Sequence, residues 1–234
     1  MSFLNPNLVI IPTYNEAQNI LKMLSQFINS QFDVLIIDDN SPDKTYELVE
    51  NFIKQNNFVH LIKRNGKEGL GSAYREGFEW AINNLYEYAI EMDADFSHSF
   101  DDLELMFNSK ENFDLVIGSR YITGGSTEGW SKSRKLLSVG ANKFAKKMLN
   151  SQINDMTSGF RIYSTKALEK VSFSNTESNG YSFQIEMTYL FISKGLKIKE
   201  FPITFYERSL GKSKMSKSIA FEAIYYLVKT KFIK

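Results

Sequence analysis

The sequence predicts an α/β protein with a mostly parallel sheet flanked by helices, on the strength of three observations. Strand-like and helix-like segments alternate every 25 residues or so along the first half of the chain, roughly the length of one βα repeat. The strand-like segments are apolar throughout, as strands buried on both faces are. Three of them end in polar clusters, at the carboxyl edge where open α/β sheets place their ligands.

Residues 8–11 form the first strand, stopped by Pro12. Over 16–28, Ile20, Leu24, Phe27 and Ile28 have the spacing of one helical face. Residues 34–37 are the second strand and run into Asp38 and Asp39; Asn40, Ser41, Pro42 and Asp43 supply turn and cap residues for a helix over 45–53. A third strand spans 59–62, and Gly66, Gly69 and Gly71 lead into a helix from Ser72 to Asn84. The fourth strand starts at Tyr88 and runs into Asp93, and 114–117 is the fifth.

After Arg120 the rhythm breaks. Residues 121–129 read as a loop, and 130–150 as a basic amphipathic helix with Leu137, Ala141, Phe144 and Met148 along one face. Short strands follow at 160–163, 198–201 and 203–206, with a helix over 181–193. No repeat or linker divides the chain, so 1–234 is read as one domain.

With 43% hydrophobic and 24% charged residues the composition is that of an ordinary folded protein. The absence of cysteine excludes a disulfide scaffold and a zinc–thiolate site. Neither a signal peptide nor an apolar run of membrane-spanning length is expected. The net charge of +1 hides a segregation: residues 1–119 carry 8 Lys and Arg against 19 Asp and Glu, and 120–234 carry 20 against 8. An acidic half suited to a cation adjoins a basic half suited to an anion or an anionic surface.

The polar strand ends are Thr13-Tyr14-Asn15-Glu16, Asp38-Asp39-Asn40-Ser41 and Asp93-Ala94-Asp95. In a parallel sheet they would line one nucleotide-sized cleft. Two close carboxylates, Asp93 and Asp95, suit a hard cation bridging substrate phosphates; a solvated acidic turn is the alternative. Tyr14 could flank a base, and Glu16 or Asp38 could accept from base or ribose, although Asp38 or Asp39 could equally cap a helix. The glycine-rich stretch 64–71 matches neither the dinucleotide-binding fingerprint nor the phosphate-binding loop of NTPases, and Gly211-Lys212-Ser213 has Tyr206 where that loop needs its first glycine.

PTYNE, IIDDNSPD, RNGKEGLGSA, EMDADFSH, DLVIGSRY, DMTSGFRIYS and YERSLGKSKM together resemble the family-2 glycosyltransferases of the GT-A fold, and within them the polyprenol-phosphate (dolichol-phosphate) mannose synthases. The resemblance runs from about Leu8 to Ser216. It implies GDP-mannose as donor, Mg2+ or Mn2+ as cofactor, and a membrane polyprenyl monophosphate as acceptor. Pro12, Tyr14, Glu16 and Asp38 would hold the nucleotide with the 67–71 loop, Lys67 and Gly71 included. Asp93 and Asp95 would serve the metal and the diphosphate, with Asp95 central to catalysis. Arg120, Arg134 and Arg208 would face phosphates, joined on the acceptor side by Ser138. Residues 158–161, and Gln184 and Glu186, would border the sugar.

Ser97 stands where members often carry a metal-binding glutamine, which leaves the third ligand open; His98 could substitute, although a lone histidine after a strand is more often structural, and Ser99-Phe100 lacks the proline that commonly starts the next helix. The chemistry needs no separate base, because a phosphate monoester with a second pKa of about 6 is already a nucleophilic dianion. A single displacement would invert the anomeric centre. The protein is expected to be cytoplasmic and peripheral on the inner face of a membrane, resting there through the 130–150 helix and a helix over 217–234, or with either helix packed on the domain instead, and with no nucleic-acid partner. A UDP-glucose or other sugar-nucleotide transferase, and a noncatalytic membrane-surface module, are the alternatives.

Overall fold

The computed structural model describes residues 5–178 and 180–207. In chain order the elements are β1 (Asn7–Thr13), α1 (Ile20–Ser25), β2 (Asp33–Asp38), α2 (Thr45–Ile53), β3 (Val59–Lys63), α3 (Leu70–Asn83), β4 (Tyr88–Glu91), α4 (Phe100–Asn108) and β5 (Leu115–Ser119). Then come β6 (Ser126–Glu128), α5 (Lys132–Met148), β7 (Arg161–Ser164), α6 (Thr165–Leu168), α7 (Gly180–Ser193), β8 (Ile198–Pro202) and β9 (Thr204–Tyr206). Arg208, the end of the YERSLGKSKM stretch and the expected 217–234 helix lie outside the described residues.

Seven strands form one sheet in the order β3-β2-β1-β4-β7-β5-β8, parallel except for β7, which runs antiparallel between β4 and β5. β6 and β9 pair as a separate parallel ribbon. Successive side chains of each strand point to opposite faces, so an all-apolar strand feeds two cores. Val9, Ile11, Val34, Ile36, Ile90 and Val116 pack with α1, α2 and α4 on one face. Leu8, Ile10, Leu35, Ile37, Ala89 and Leu115 pack with α3, α6 and α7 on the other. Helix α3 lies so close to β1 that a Cβ at Gly77 would sit 2.6 Å from Ile10 Cγ2, and only glycine fits.

The strand order sets β2, β1 and β4 side by side, so the three polar strand ends share one edge as the sequence predicts. Two helices differ from expectation. The 16–28 helix shortens to α1, because Asn15 takes a left-handed φ of 60° and the Glu16 carbonyl closes a turn with the amides of Asn19 and Ile20. Of the apolar face expected for 130–150, Met148 packs inward, with Ala145 and Leu149, against Met156 and Ile185. α5 is also held through a polar side chain: Asn142 Nδ2 donates to Thr157 Oγ1 at 3.0 Å, and the Met156 amide donates to Asn142 Oδ1 at 2.8 Å. Leu136 (75% exposed), Leu137 (64%) and Phe144 (43%) face outward. No helix among the described residues is long and apolar enough to cross a membrane.

Candidate active site

The cleft begins where β1 and β2 end. Thr13 Oγ1 (2.8 Å) and Ser41 Oγ (2.7 Å) both donate to Asp38 Oδ2, and the Ser41 amide donates to Oδ1 at 2.8 Å. Asp38, expected to hold the nucleotide, has no exposed surface here, and its hydrogen bonds tie two strand ends together beneath the cleft. Glu16 is likewise buried and accepts from Asn19 Nδ2 at 2.9 Å, while its amide donates to Thr45 Oγ1. Asp43 accepts from the Thr45 amide at 3.1 Å just ahead of α2, whose N-cap, Lys44, sits in the left-handed region.

Asp39, one residue on, is gripped by the buried Arg64, which also donates to Ser72 Oγ (3.0 Å) and the Gly69 carbonyl (3.3 Å). Burial pushes the Asp39 carboxyl up, and Arg64 opposes that rise. The same guanidinium therefore fixes the glycine loop against the end of β2, with Gly69 at φ 97° as the N-cap of α3 and Gly71 buried in its first turn. Lys67 Nζ sits 4.7 Å from the centre of the Tyr14 ring, which brings two expected nucleotide residues together across the mouth of the cleft. Pro12 is half-buried at the end of β1, level with Ile37 of β2.

Past β4 the chain turns sharply. Phe96 adopts φ 61°, the Ser97 amide donates to Asp95 Oδ1 at 3.0 Å, and the Asp93 amide donates to His98 Nδ1 at 3.2 Å. Ser99 Oγ caps α4 by accepting from the amides of Asp101 and Asp102, so the helix starts without proline. Of the two readings of His98, ligand or structural, its surroundings suit the structural one. Its ring is buried, stacked on Phe160 and edged by Phe205, and burial pushes its pKa down to about 4. No group of three or more His, Cys, Asp or Glu side chains is arranged as a metal cage among the described residues. The half-buried Asp93 and buried Asp95 offer two carboxylates, and Ser97 Oγ is a buried polar atom with no hydrogen-bond partner in the same turn. This oxygen-only set fits a hard cation that takes its remaining ligands from water and phosphates.

Arg120, expected to face phosphate, is held here by Asp155. Its Nε and a terminal nitrogen each lie 2.7 Å from the Asp155 carboxylate, the second also reaches Thr157 Oγ1 at 2.9 Å, and the group is buried. Burial raises the Asp155 carboxyl, but its contacts with Arg120 and the nearby Arg161 together hold it below the usual carboxylate range. Arg134 is only half-buried: it lies 4.1 Å from the centre of the Trp130 ring and pairs with Glu207 at 2.8 Å. Ser138 accepts from the Tyr121 hydroxyl at 2.7 Å.

Under the Asp93 end of the sheet lies a polar layer. Arg161 is wholly buried and donates to the carbonyls of Ser158 and Met156 and to Thr188 Oγ1, so it braces the core instead of bordering the sugar. Burial pushes the Glu91 carboxyl up to about 8, opposed by Arg161. The Gln184 amide lies against the Glu91 carboxyl and favours its charged form, and the Tyr74 hydroxyl is buried with no hydrogen-bond partner among the described residues. Glu186 accepts from the Ser178 amide at 3.2 Å, and burial raises its carboxyl. Asp155, Arg64 and His98 are the pieces whose roles the sequence conceals. Only a buried polar residue in a motif hints at each, and their partners come from distant segments.

A cleft of this kind at the carboxyl edge of an open α/β sheet marks a nucleotide-sugar transferase. The model of Glycosyl transferase family 2 matches residues 8–172, and the chain belongs to that family. It is 41% identical over 222 residues to the polyprenol monophosphomannose synthase of Mycolicibacterium smegmatis, covering 93% of this chain and 84% of the relative. It is 40% identical over 219 residues to the undecaprenyl-phosphate mannosyltransferase of Micrococcus luteus, covering 93% and 90%. The fold is shared with glucosyl-3-phosphoglycerate synthase from Mycobacterium tuberculosis, solved with Mn2+, UDP and glucosyl-3-phosphoglycerate: TM-score 0.67, 16% identity, 96% of this chain and 79% of that one. It is also shared with a mannosyltransferase from Pyrobaculum calidifontis in complex with GDP-Man and Mn2+: TM-score 0.56, 15% identity, 89% and 60%.

Proposed function

We propose that the protein transfers mannose from GDP-mannose to a membrane polyprenyl monophosphate, with inversion and with Mg2+ or Mn2+. The observation that carries this reading is the identity of about two fifths, over nearly the whole chain, to two enzymes whose names specify mannosyl transfer and polyprenyl phosphates. Tyr14 and Lys67 flank the guanosine and diphosphate side of the cleft, and Asp39, held by Arg64, presents an acceptor toward the base. Asp93 and Asp95 hold the cation with the diphosphate. A cation held there would supply positive charge to offset that on the departing GDP. Gln184 and Glu186 approach the sugar from α7, and Arg134 and Arg208 meet the acceptor phosphate, beside Ser138.

The acceptor is a dianion at neutral pH, so the residues align its oxygen with the anomeric carbon and offset repulsion between two anionic substrates. The acceptor stays in its bilayer. α5 presents Leu136, Leu137 and Phe144 outward among the exposed Lys132, Lys135, Lys143 and Lys147, a pattern that suits burial at the level of anionic headgroups on the inner face of a membrane.

The deciding experiment offers radiolabelled GDP-mannose or UDP-glucose with a polyprenyl phosphate in vesicles, with Mg2+, Mn2+ or a chelator. Mannosyl lipid that disappears with the chelator is expected. Product from UDP-glucose alone overturns the donor assignment, and vesicle binding without any product points to a noncatalytic surface module.

A further inference from the structure

His98 lies in the turn that carries the two aspartates, with its ring in an aromatic seat. Its plane is 9° from that of Phe160 with centroids 4.6 Å apart, and Phe205 meets it edge-on at 5.4 Å. Phe160 immediately precedes β7 and Phe205 lies in β9, so two segments far along the chain fix the ring's orientation. Nδ1 is thereby aimed at the Asp93 amide, 3.2 Å away. The Ser97 carbonyl also accepts from the Tyr206 amide at 3.1 Å, which anchors the same turn to β9. Phe205 in turn packs against Trp130 at 5.4 Å, and Arg134 lies over Trp130.

We infer that His98 is a positioning residue for the metal: seated between Phe160 and Phe205, it holds the Asp93 amide and so sets the separation and direction of the Asp93 and Asp95 carboxylates. The inference rests on the reading of those aspartates as the metal-holding pair. A residue that orients ligands without touching the metal characteristically changes metal affinity by about 10–100-fold when replaced. The ring and the acceptor nitrogen are separable. His98→Phe keeps an aromatic ring in the seat and removes the acceptor, whereas His98→Asn loses the ring and restores an oxygen acceptor near the place of Nδ1.

The test is Mn2+ binding in the presence of GDP, followed by electron paramagnetic resonance, alongside melting temperature and turnover. His98→Phe is expected to bind Mn2+ about tenfold or more weakly with little change in melting temperature, and His98→Asn to recover most of the affinity. Wild-type affinity in His98→Phe overturns the inference, as does an Asn variant no better than the Phe variant, since the ring would then be packing alone. If His98→Phe does not fold, Phe205→Leu carries the test: it leaves the histidine and loosens its seat, and unchanged Mn2+ affinity sinks the idea. Absence of Mn2+ binding by the unaltered protein overturns the inference together with the metal site. Mn2+ binding without transfer from GDP-mannose refutes the proposed reaction instead, and the comparison of variants still decides the role of His98.

Discussion

The guanidinium of Arg120 closes on both oxygens of Asp155 at 2.7 Å, inside the protein. A buried fork of this kind braces the link between β5 and the segment before β7. Arg120→Ala leaves the Asp155 charge buried without its partner and is expected to cost about 3–5 kcal/mol of stability. Arg134→Ala removes a half-exposed pair with Glu207 and should cost about 1 kcal/mol or less while lowering turnover. Urea unfolding of both variants checks this contrast. Equal stability losses would show that the Asp155 fork does not brace the fold.

Asp95→Asn keeps the size of the side chain and its acceptor for the Ser97 amide while removing the charge. Metal-stimulated turnover should fall by about a hundredfold or more, the scale of losing a preorganised electrostatic stabiliser. The melting temperature in chelator should stay within a few degrees of the unaltered protein. Turnover that survives, with unchanged metal dependence, removes Asp95 from the cation site.

Glu91 predicts an unusual pH response. The native carboxyl keeps its proton up to about 8, whereas the unfolded chain releases it near 4.5. Between those values the native state binds the extra proton, so this group's contribution is complete below the lower value and is lost as pH rises through the upper one. Glu91→Gln cannot titrate. Its melting temperature should match the unaltered protein near pH 4.5 and exceed it increasingly toward pH 8, by the equivalent of at most about 1.4 kcal/mol per pH unit. A constant difference across the range would show that Glu91 is ionised in the fold.

Charge placed on the outward ridge of α5 tests the membrane contact. Leu136→Glu with Leu137→Glu alters two exposed side chains, so stability should change by no more than about 0.5 kcal/mol per site. Sedimentation with anionic vesicles should drop severalfold, while turnover on a short, water-soluble polyprenyl phosphate stays near normal. Undiminished sedimentation places the contact elsewhere.

Much of the sheet was legible in the sequence because its strands feed two cores, which makes them unbroken apolar runs such as 8–11 and 34–37. The convergence of Thr13, Asp38 and Asp93 followed from parallel pairing alone. Orientation was less legible. α5 has an apolar stripe and a polar stripe, and periodicity does not say that Ser138, Asn142 and Ala145 face the protein. Nothing local to Arg120 shows that Asp155, 35 residues away, pairs with it. Nothing local to His98 shows that Phe160 and Phe205 seat its ring. Such roles depend on long-range contacts that a local pattern does not encode.

The insertion of β7 between β4 and β5 has a consequence for how the molecule assembles. β4, whose end leads into Asp93 and Asp95, pairs with β1 on one side, but its other edge stays open until residues 161–164 have been made. β5 then gains β7 on one side and β8 on the other. During synthesis the first four strands can pair as a half-sheet, with an apolar edge bare for some seventy residues of chain growth, the kind of edge that invites aggregation. The cation-holding turn is thus completed late, when Phe160 and then Phe205 arrive to seat His98. Slow or arrested synthesis after β5 should leave a chain with its nucleotide half formed and this turn unsupported.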